Sequence, residues 1–551
     1  MKLLLIVNVS LFTFFSLNLH AQGPSDPEKL LFEVYAQLEK VANADGSRNL
    51  LLKPLILRHS ELGVAFQENA QISIERKALE ICMEFGDRAA DALAALLSHE
   101  IAHYLYHHET ILAPSAYATR QNQEKNQPEL EQIIRVEDEA DTRGVFLAAR
   151  AGYRTEDILP DLLDLIYKKY QLPENLPGYP SLTERKKQAV LSGQKARDLA
   201  DLFEMSNLLT MVGQYQEAAM IYNHLNDQHV SQPFLNNIGL SYALQVIEKL
   251  KHQDSVIYPF EIDPYSRLGD EIGRSSPPDL SLIDTLKMAI FYFKRSIQLN
   301  PEYLPGLVNY SCAQILLAKH GIDEYEKQEA LNQAETAIKS AQNVIDYFPN
   351  RFSPKDQAQV GMARAIIYQS LGQKKEVKLI LKEVGKLKIN DPGWEQIYFH
   401  NKKLLGNHKV SLNKWQQFSS QEIIPEDFPT YPFEQVQKEL PVDKELAIKQ
   451  KPYVFARIKD TLDRRIMIYQ RRPYRPDLQI FLYQATNQYQ GKTTVGSVSV
   501  GDSMDKISSI YGQPNKRIES IQGYFLVYEK YKIIFFIREN KVEEWTLYYV
   551  L

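Results

Sequence analysis

The sequence predicts an α+β protein, mostly helical and built from several domains, and three patterns carry that reading. An amphipathic run over 28–42 and an alanine-rich apolar run beginning near Ala89 both have helical periodicity. Between 199 and 390 a paired-helix template recurs about four times. Near the C-terminus, short apolar runs separated by turn residues read as strands beside one short helix. A chain of 551 residues has room for about three or four domains. Its 44% apolar and 24% charged residues suit a globular protein. The formal charge of −5, from 64 basic and 69 acidic residues, is too mild to point to nucleic acid as a partner.

In chain order, Met1-Lys2, the apolar run Leu3 to Leu17 and Leu19-His20-Ala21 read as a secretory signal peptide over 1–21, cut after Ala21. The competing reading is an uncleaved anchor, for which the run is short. Cleavage would leave no cysteine at the new N-terminus, and no later segment is long and apolar enough to span a bilayer. The expected location is outside the cytoplasm, in the periplasm of a Gram-negative cell. The expected divisions are then 22–195, 196–390, 391–490 and 491–551. Residues 28–42 form a helix with Leu30, Leu31, Val34, Leu38 and Val41 inward. Gly63 to Phe66 and Gln71 to Ile74 form two short strands around a polar turn, and the polar stretch 115–132 with Pro128 forms a loop. Cys82 and Cys312 lie far apart in different divisions and are expected as two buried thiols.

The residues that carry chemistry begin at His99-Glu100-Ile101-Ala102-His103, inside the alanine-rich run. Side chains four apart share one helical face, so His99 and His103 can offer two imidazole nitrogens to one metal ion. Glu100 lies about 100° round the helix, within reach of a water on that ion. Two nitrogens, one further protein ligand and an open water position suit zinc. The competing reading is a core helix with hydrogen-bonded histidines. His107 falls about 12 Å along the axis from His99, too far to share the ion, so His107-His108 is read as a solvated helix end.

A candidate third ligand lies in Arg135-Val136-Glu137-Asp138-Glu139-Ala140-Asp141-Thr142-Arg143-Gly144. Glu137 and Asp141 share a helical face, with Gly144 on nearly the same stripe, where a glycine admits a second helix closely. Glu137 can complete the ligand set and Asp141 can orient a ligand histidine. Asp138 and Glu139 point elsewhere, into solvent. The plainer alternative is an acidic first turn favoured by the helix dipole.

His99-Glu100-x-x-His103, Glu137-x-x-x-Asp141 and Gly152-Tyr153, in that order, resemble the M48 family of gluzincin metallopeptidases over roughly residues 60–195, including its bacterial envelope members with a repeat tail. The resemblance implies a mostly helical zincin-type peptidase domain and one zinc ion. It implies His99, His103 and Glu137 as metal ligands, Glu100 as general base and Asp141 behind a ligand histidine. It also implies an edge strand beside the active-site helix that takes substrate as an added strand, for which Ile72-Ser73-Ile74 is the candidate; an ordinary supporting hairpin is the alternative. Where the family has a His-Pro…Arg segment this chain has Tyr179-Pro180 and then Arg185, so Tyr179 or Arg185 is the expected oxyanion donor.

From about Ala196, Gly213-Gln214-Tyr215, Ala218 and Tyr222 fit a tetratricopeptide template. Asn236-Asn237-Ile238-Gly239, Ala289, Phe293, Ala337, Ala341 and Gly372 recur within it, around an insertion near 246–282 that contains Pro277-Pro278. Such helix pairs stack into an α-solenoid with a concave face, which is either a surface for a protein partner or a spacer. Residues 391–490 show β-like runs such as Arg465 to Tyr469 without clear order. After Val498, a helix through Ile507 and Ile510 ends at Gly512, and strands follow at 524–528, 533–537 and 545–550, giving a small α+β module. The functional expectation is an exported zinc endopeptidase acting on protein or peptide substrates in envelope quality control. The competing class is a non-catalytic assembly or chaperone factor with an idle peptidase domain.

Overall fold

The computed structural model describes residues 26–42, 52–58, 65–68, 71–106, 108, 127–175, 181–250, 256–264, 281–321, 323–349, 351–389, 391–406, 444–448, 454–461, 464–471, 479–486, 494, 498–520 and 523–550. The expected signal segment, residues 115–126 of the expected loop, His107, Tyr179 and Pro277-Pro278 lie outside the described residues. The described chain is mostly helical, with a sheet at the C-terminal end. No helix among the described residues is long and apolar enough to cross a membrane.

Helix α1 (Pro27–Ala42) turns Leu31, Val34, Tyr35, Leu38 and Val41 inward. Strands β1 (Leu52–Leu57), β2 (Ala65–Glu68) and β3 (Gln71–Glu75) form a sheet in the order β1-β3-β2. Strand β3 therefore has neighbours on both sides: Ser73 faces Leu55 of β1 and Phe66 of β2. This corrects the expectation that Ile72-Ser73-Ile74 is a free edge. The unforeseen strand is β1, masked in the sequence by Pro54; a proline lacks a ladder donor and fits an edge strand, which β1 is. The other edge, β2, packs against the motif helix.

Helix α2 (Arg76–Met83) and one 3-10 turn lead into the motif helix α3 (Ala89–Leu105). Alanine and leucine are the strongest helix formers, and here they also fill the core: Ala92, Leu93, Leu97 and Ile101 are fully covered. Helix α4 (Gln127–Arg150) crosses α3. It begins within the stretch expected as a loop, with Pro128 in its first turn, where a missing donor costs little. Helices α5 (Leu159–Tyr170) and α6 (Leu182–Met211) complete this unit, and Ser181 and Glu184 close a capping box at the start of α6.

Helical pairing continues through α7 (Tyr215–Gln228), α8 (Gln232–Lys249), α9 (Leu282–Leu299) and α10 (Leu304–His320). Helices α11 (Glu324–Tyr347), α12 (Pro354–Ser370), α13 (Lys374–Val384) and α14 (Pro392–Leu405) follow. From α6 to α13 each packs on the next, α8 and α12 also touch α10, and α14 packs on α12. Template residues sit at these contacts: a Cβ on Gly239 would meet the Phe293 ring at 2.8 Å and the Ala289 carbonyl oxygen at 3.0 Å. Cys82 and Cys312 are buried free thiols.

The described part of the insertion, 256–264, runs as an extended segment across alternate helices, and asparagines bracket its backbone. Asn401 of α14 accepts from the Ile257 amide (3.0 Å) and donates to its carbonyl (2.7 Å). Asn309 of α10 does the same at Glu261 (2.8 and 2.7 Å), and Asn237 of α8 at Asp263 (3.0 and 2.7 Å). Glu261-Ile262 forms β4, which lies parallel to β9. An amide side chain carries both an NH2 donor and a carbonyl acceptor, so it satisfies both main-chain groups of one residue as a strand would.

The C-terminal sheet has nine strands in the order β4-β9-β10-β11-β12-β8-β7-β6-β5. Strands β5 (Lys444–Ile448), β6 (Val454–Thr461), β7 (Arg464–Arg471) and β8 (Gln479–Thr486) come from the stretch with β-like runs. Residues Ile480 to Thr486 pair antiparallel with β12 (Lys541–Val550), so the sheet runs across the expected boundary at 490. Strands β9 (Lys516–Ser520), β10 (Gly523–Tyr528) and β11 (Ile533–Arg538) follow the short helix α15 (Met504–Tyr511). Gly512 ends α15 at φ 72°, the left-handed region natural to glycine.

The sheet docks on the helices through buried charge. Arg517 of β9 pairs with Asp391, which caps α14, and with Glu519; Lys355 of α12 pairs with Glu519 at 2.6 Å. Burial opposes ionisation of Glu519, but Arg517 and Lys355 hold its pKa down to about 2. Removing one member of such a buried network leaves uncompensated charge and costs about 3–5 kcal/mol. Arg517→Met is therefore expected to destabilise docking of the sheet by about that amount, read as an earlier denaturant transition of the C-terminal tyrosines and Trp545, whereas Lys506→Met in the partly exposed Asp502 pair changes it little.

Candidate metal centre

The site forms where α4 crosses α3. The contact is close at Gly144: a Cβ there would lie 3.0 Å from the His99 amide nitrogen and 3.1 Å from its Cα. With no side chain between the helices, the stripe of α4 that holds Gly144 brings Asp141 and Glu137 against the α3 histidines. The Asp141 carboxylate meets His99 Nδ1 at 2.8 Å. The Nε2 atoms of His99 and His103 face each other at 2.9 Å. Glu137 approaches both, at 3.5 Å from His99 Nε2 and 3.9 Å from His103 Nε2. One donor atom from each of His99, His103 and Glu137 lies within 4.8 Å of the others, an arrangement that can hold a metal ion. Among the described residues no other group of histidine, cysteine and acidic side chains converges in this way. Two imidazole nitrogens, their rings backed by Asp141 and His108, and a carboxylate oxygen fit such an ion chemically.

The charges in the site are strongly coupled. Burial disfavours a charged His99, yet Asp141 and Glu137 raise its pKa well above the ordinary histidine value. Burial and neighbouring His99 push His103 down to about 3. Glu137 is held down to about 2, since His99, His103 and Arg185 outweigh its burial. Glu100 follows His99 on the same turn and is buried.

Arg185 lies in the first turns of α6, where its guanidinium donates to the Tyr167 hydroxyl at 3.2 Å and shares the field of Glu137 and Asp141. Burial would lower its pKa, but these groups raise it. Arg185 thus acts through its charge on Glu137 and Asp141, while Tyr179 lies outside the described residues.

One expectation is corrected and another refined. His108 is not a solvated helix end: it is 3% exposed, with its Nδ1 3.0 Å from Nδ1 of His103. Helix α3 stops at Leu105 and the following turn folds His108 back under His103, a contact that helical spacing does not represent. Asp138 and Glu139 point away from the cluster and stay partly exposed, but each has partners of its own. Asp138 accepts hydrogen bonds from Gln188 and Ser192, and Glu139 pairs with Arg143 and approaches His108 Nε2 at 3.5 Å. The spacing of Glu139 and Arg143 was the available signal, as four apart is ion-pair spacing on a helix.

The sequence matches no protein-family profile and no curated protein.

Two outcomes follow from this geometry. Gly144→Ala sets its Cβ against backbone that cannot move alone, so the helices must part; the expected result is a loss of about 1–3 kcal/mol in stability together with weakened metal binding, read by denaturation and by metal titration. A ligand histidine must give up its second ring proton to bind a metal, whereas Asp141 and Glu137 favour the protonated form of His99 in the metal-free site. Metal uptake at pH 7 should release about one proton, with the release fading as pH rises through the His99 pKa, as measured by calorimetry in buffers of different ionisation heat.

Proposed function

We propose that this protein is an exported zinc-dependent endopeptidase of the M48 type, with tetratricopeptide-like helices behind its catalytic unit. The observation that carries the reading is the convergence of His99, His103 and Glu137 within 4.8 Å, with Glu100 one residue beyond the first ligand. Zinc bound there supplies a Lewis acid and lowers the pKa of a water. Glu100 takes the proton of the attacking water and returns it to the leaving nitrogen. Asp141, fixed on His99 Nδ1, sets the ring so that Nε2 faces the cluster. Arg185, paired with Tyr167, is the cationic donor best placed among the described residues to meet developing negative charge, and Tyr179 is the second candidate. Extended substrate would add beside β2, the edge strand that packs on α3, so that main-chain hydrogen bonds bind many sequences. Substrates are then unfolded or extended protein segments, as envelope quality control requires.

The test is cleavage of an unfolded protein by the purified chain, with and without a chelator. Chelation should abolish cleavage and zinc should restore it; an idle peptidase domain would cleave under neither condition. Glu100→Gln should keep the metal and reduce hydrolysis by about 10²–10⁴, because an amide cannot accept the proton. Full activity in that variant would place the base elsewhere. Arg185→Met and Tyr179→Phe, compared at equal metal content, identify the oxyanion donor: its loss should lower turnover by about 10²–10³.

A further inference from the structure

We infer that His108 is a positioning residue for the ligand His103, and that Glu139 and Arg143 hold His108 in the one tautomer able to do this. The inference rests on the metal-site reading above and concerns residues that the reading does not use. His103 turns Nε2 toward His99 and Glu137, so Nε2 is its ligand atom. A neutral imidazole that gives its lone pair at Nε2 carries its hydrogen on Nδ1. That N–H points away from the cluster, into a buried space where His108 Nδ1 stands 3.0 Å away. For His108 Nδ1 to accept, the hydrogen of His108 must sit on its Nε2. Glu139 Oε2 lies 3.5 Å from that atom, and an ionised carboxylate only accepts hydrogen bonds, so it favours that tautomer. Arg143 pairs with the other Glu139 oxygen, and its guanidinium lies 3.6 Å over the centre of the Tyr106 ring.

The two ligand histidines are therefore backed in different ways. His99 meets a carboxylate directly, at Asp141, whereas His103 reaches one through an interposed imidazole. The imidazole pair is covered, with His103 at 9% and His108 at 3% exposure, so water is a poor substitute for His108, whereas the Glu139 side chain is 34% exposed. Removing a partner that orients a metal ligand typically weakens metal affinity about 10–100-fold.

The experiment is a zinc titration of the full chain against a competing chelator, in the unmodified protein, His108→Phe, His108→Asn and Glu139→Gln. Phenylalanine fills the space without an acceptor and should weaken zinc binding about 10–100-fold. Asparagine returns an acceptor near the place of Nδ1 and should recover most of the loss, which a packing role would not predict. Glutamine at 139 can donate as well as accept, relaxing the choice of tautomer, and should give an intermediate loss. Nitrogen-15 spectra of histidine-labelled, zinc-loaded unmodified protein should show His103 protonated at Nδ1 and His108 at Nε2, and they decide the matter if the Phe variant does not fold. Unchanged affinity in a folded His108→Phe, no recovery in His108→Asn, or a hydrogen on His108 Nδ1 overturns the inference. An unmodified chain that binds no zinc overturns the metal-site reading instead.

Discussion

The crossing of α3 and α4 at Gly144 is the constraint on which the candidate centre depends. Backbone meets backbone there, at 3.0 Å from a would-be Cβ to the His99 amide, so the distance between the helices is fixed by main-chain atoms. A fixed distance and the helical repeat then dictate what Asp141 and Glu137 can touch. The polar groups tolerate burial because each is matched. His99 in its charged form lies between two carboxylates, and Arg185 adds a second positive charge to the same field. In the metal-free site the two carboxylates favour a proton on His99. A cation and a proton thus compete for one position.

What could be read in the sequence was whatever depends on local repeat. The motif helix, its two histidines and the Glu137–Asp141 stripe follow from residues four apart, and Gly239, Ala289 and Phe293 follow from a recurring helix-pair template. What could not be read depends on chain reversals and distant pairing. His108 comes under His103 only because α3 ends at Leu105 and the chain turns back. Strand β1 was hidden by Pro54, and without β1 the strand β3 reads as an edge. Strands β5 to β8 alternate too weakly to be ordered by themselves, and they gain definition by pairing onward to β12.

Charge buried at the docking face is matched in the same way as at the candidate metal centre. Arg517 and Glu519 pair within β9, but Asp391 and Lys355 on the helical side gain these partners only when helix and sheet are together. Close by, Glu261 is buried with neither carboxylate oxygen hydrogen-bonded, and burial with neighbouring Asp356 raises its pKa well above the usual range. A neutral carboxyl is the form that such a position tolerates.

The extended segment 256–264 changes the character of the helical array. Stacked helix pairs ordinarily touch only their neighbours, so they can fray from an end and propagate order one unit at a time. Here Asn237, Asn309 and Asn401 hold one strand in common, and the bond between Ile257 and Asn401 spans 144 positions of the chain. The strand acts as a drawstring: loosening any one of α8, α10 or α14 strips hydrogen bonds from a segment that the others also hold. It also carries β4 into the C-terminal sheet through its pairing with β9. A modular stack is thereby tied into a single cooperative body, and its final consolidation in folding waits on contacts between residues far apart in the chain.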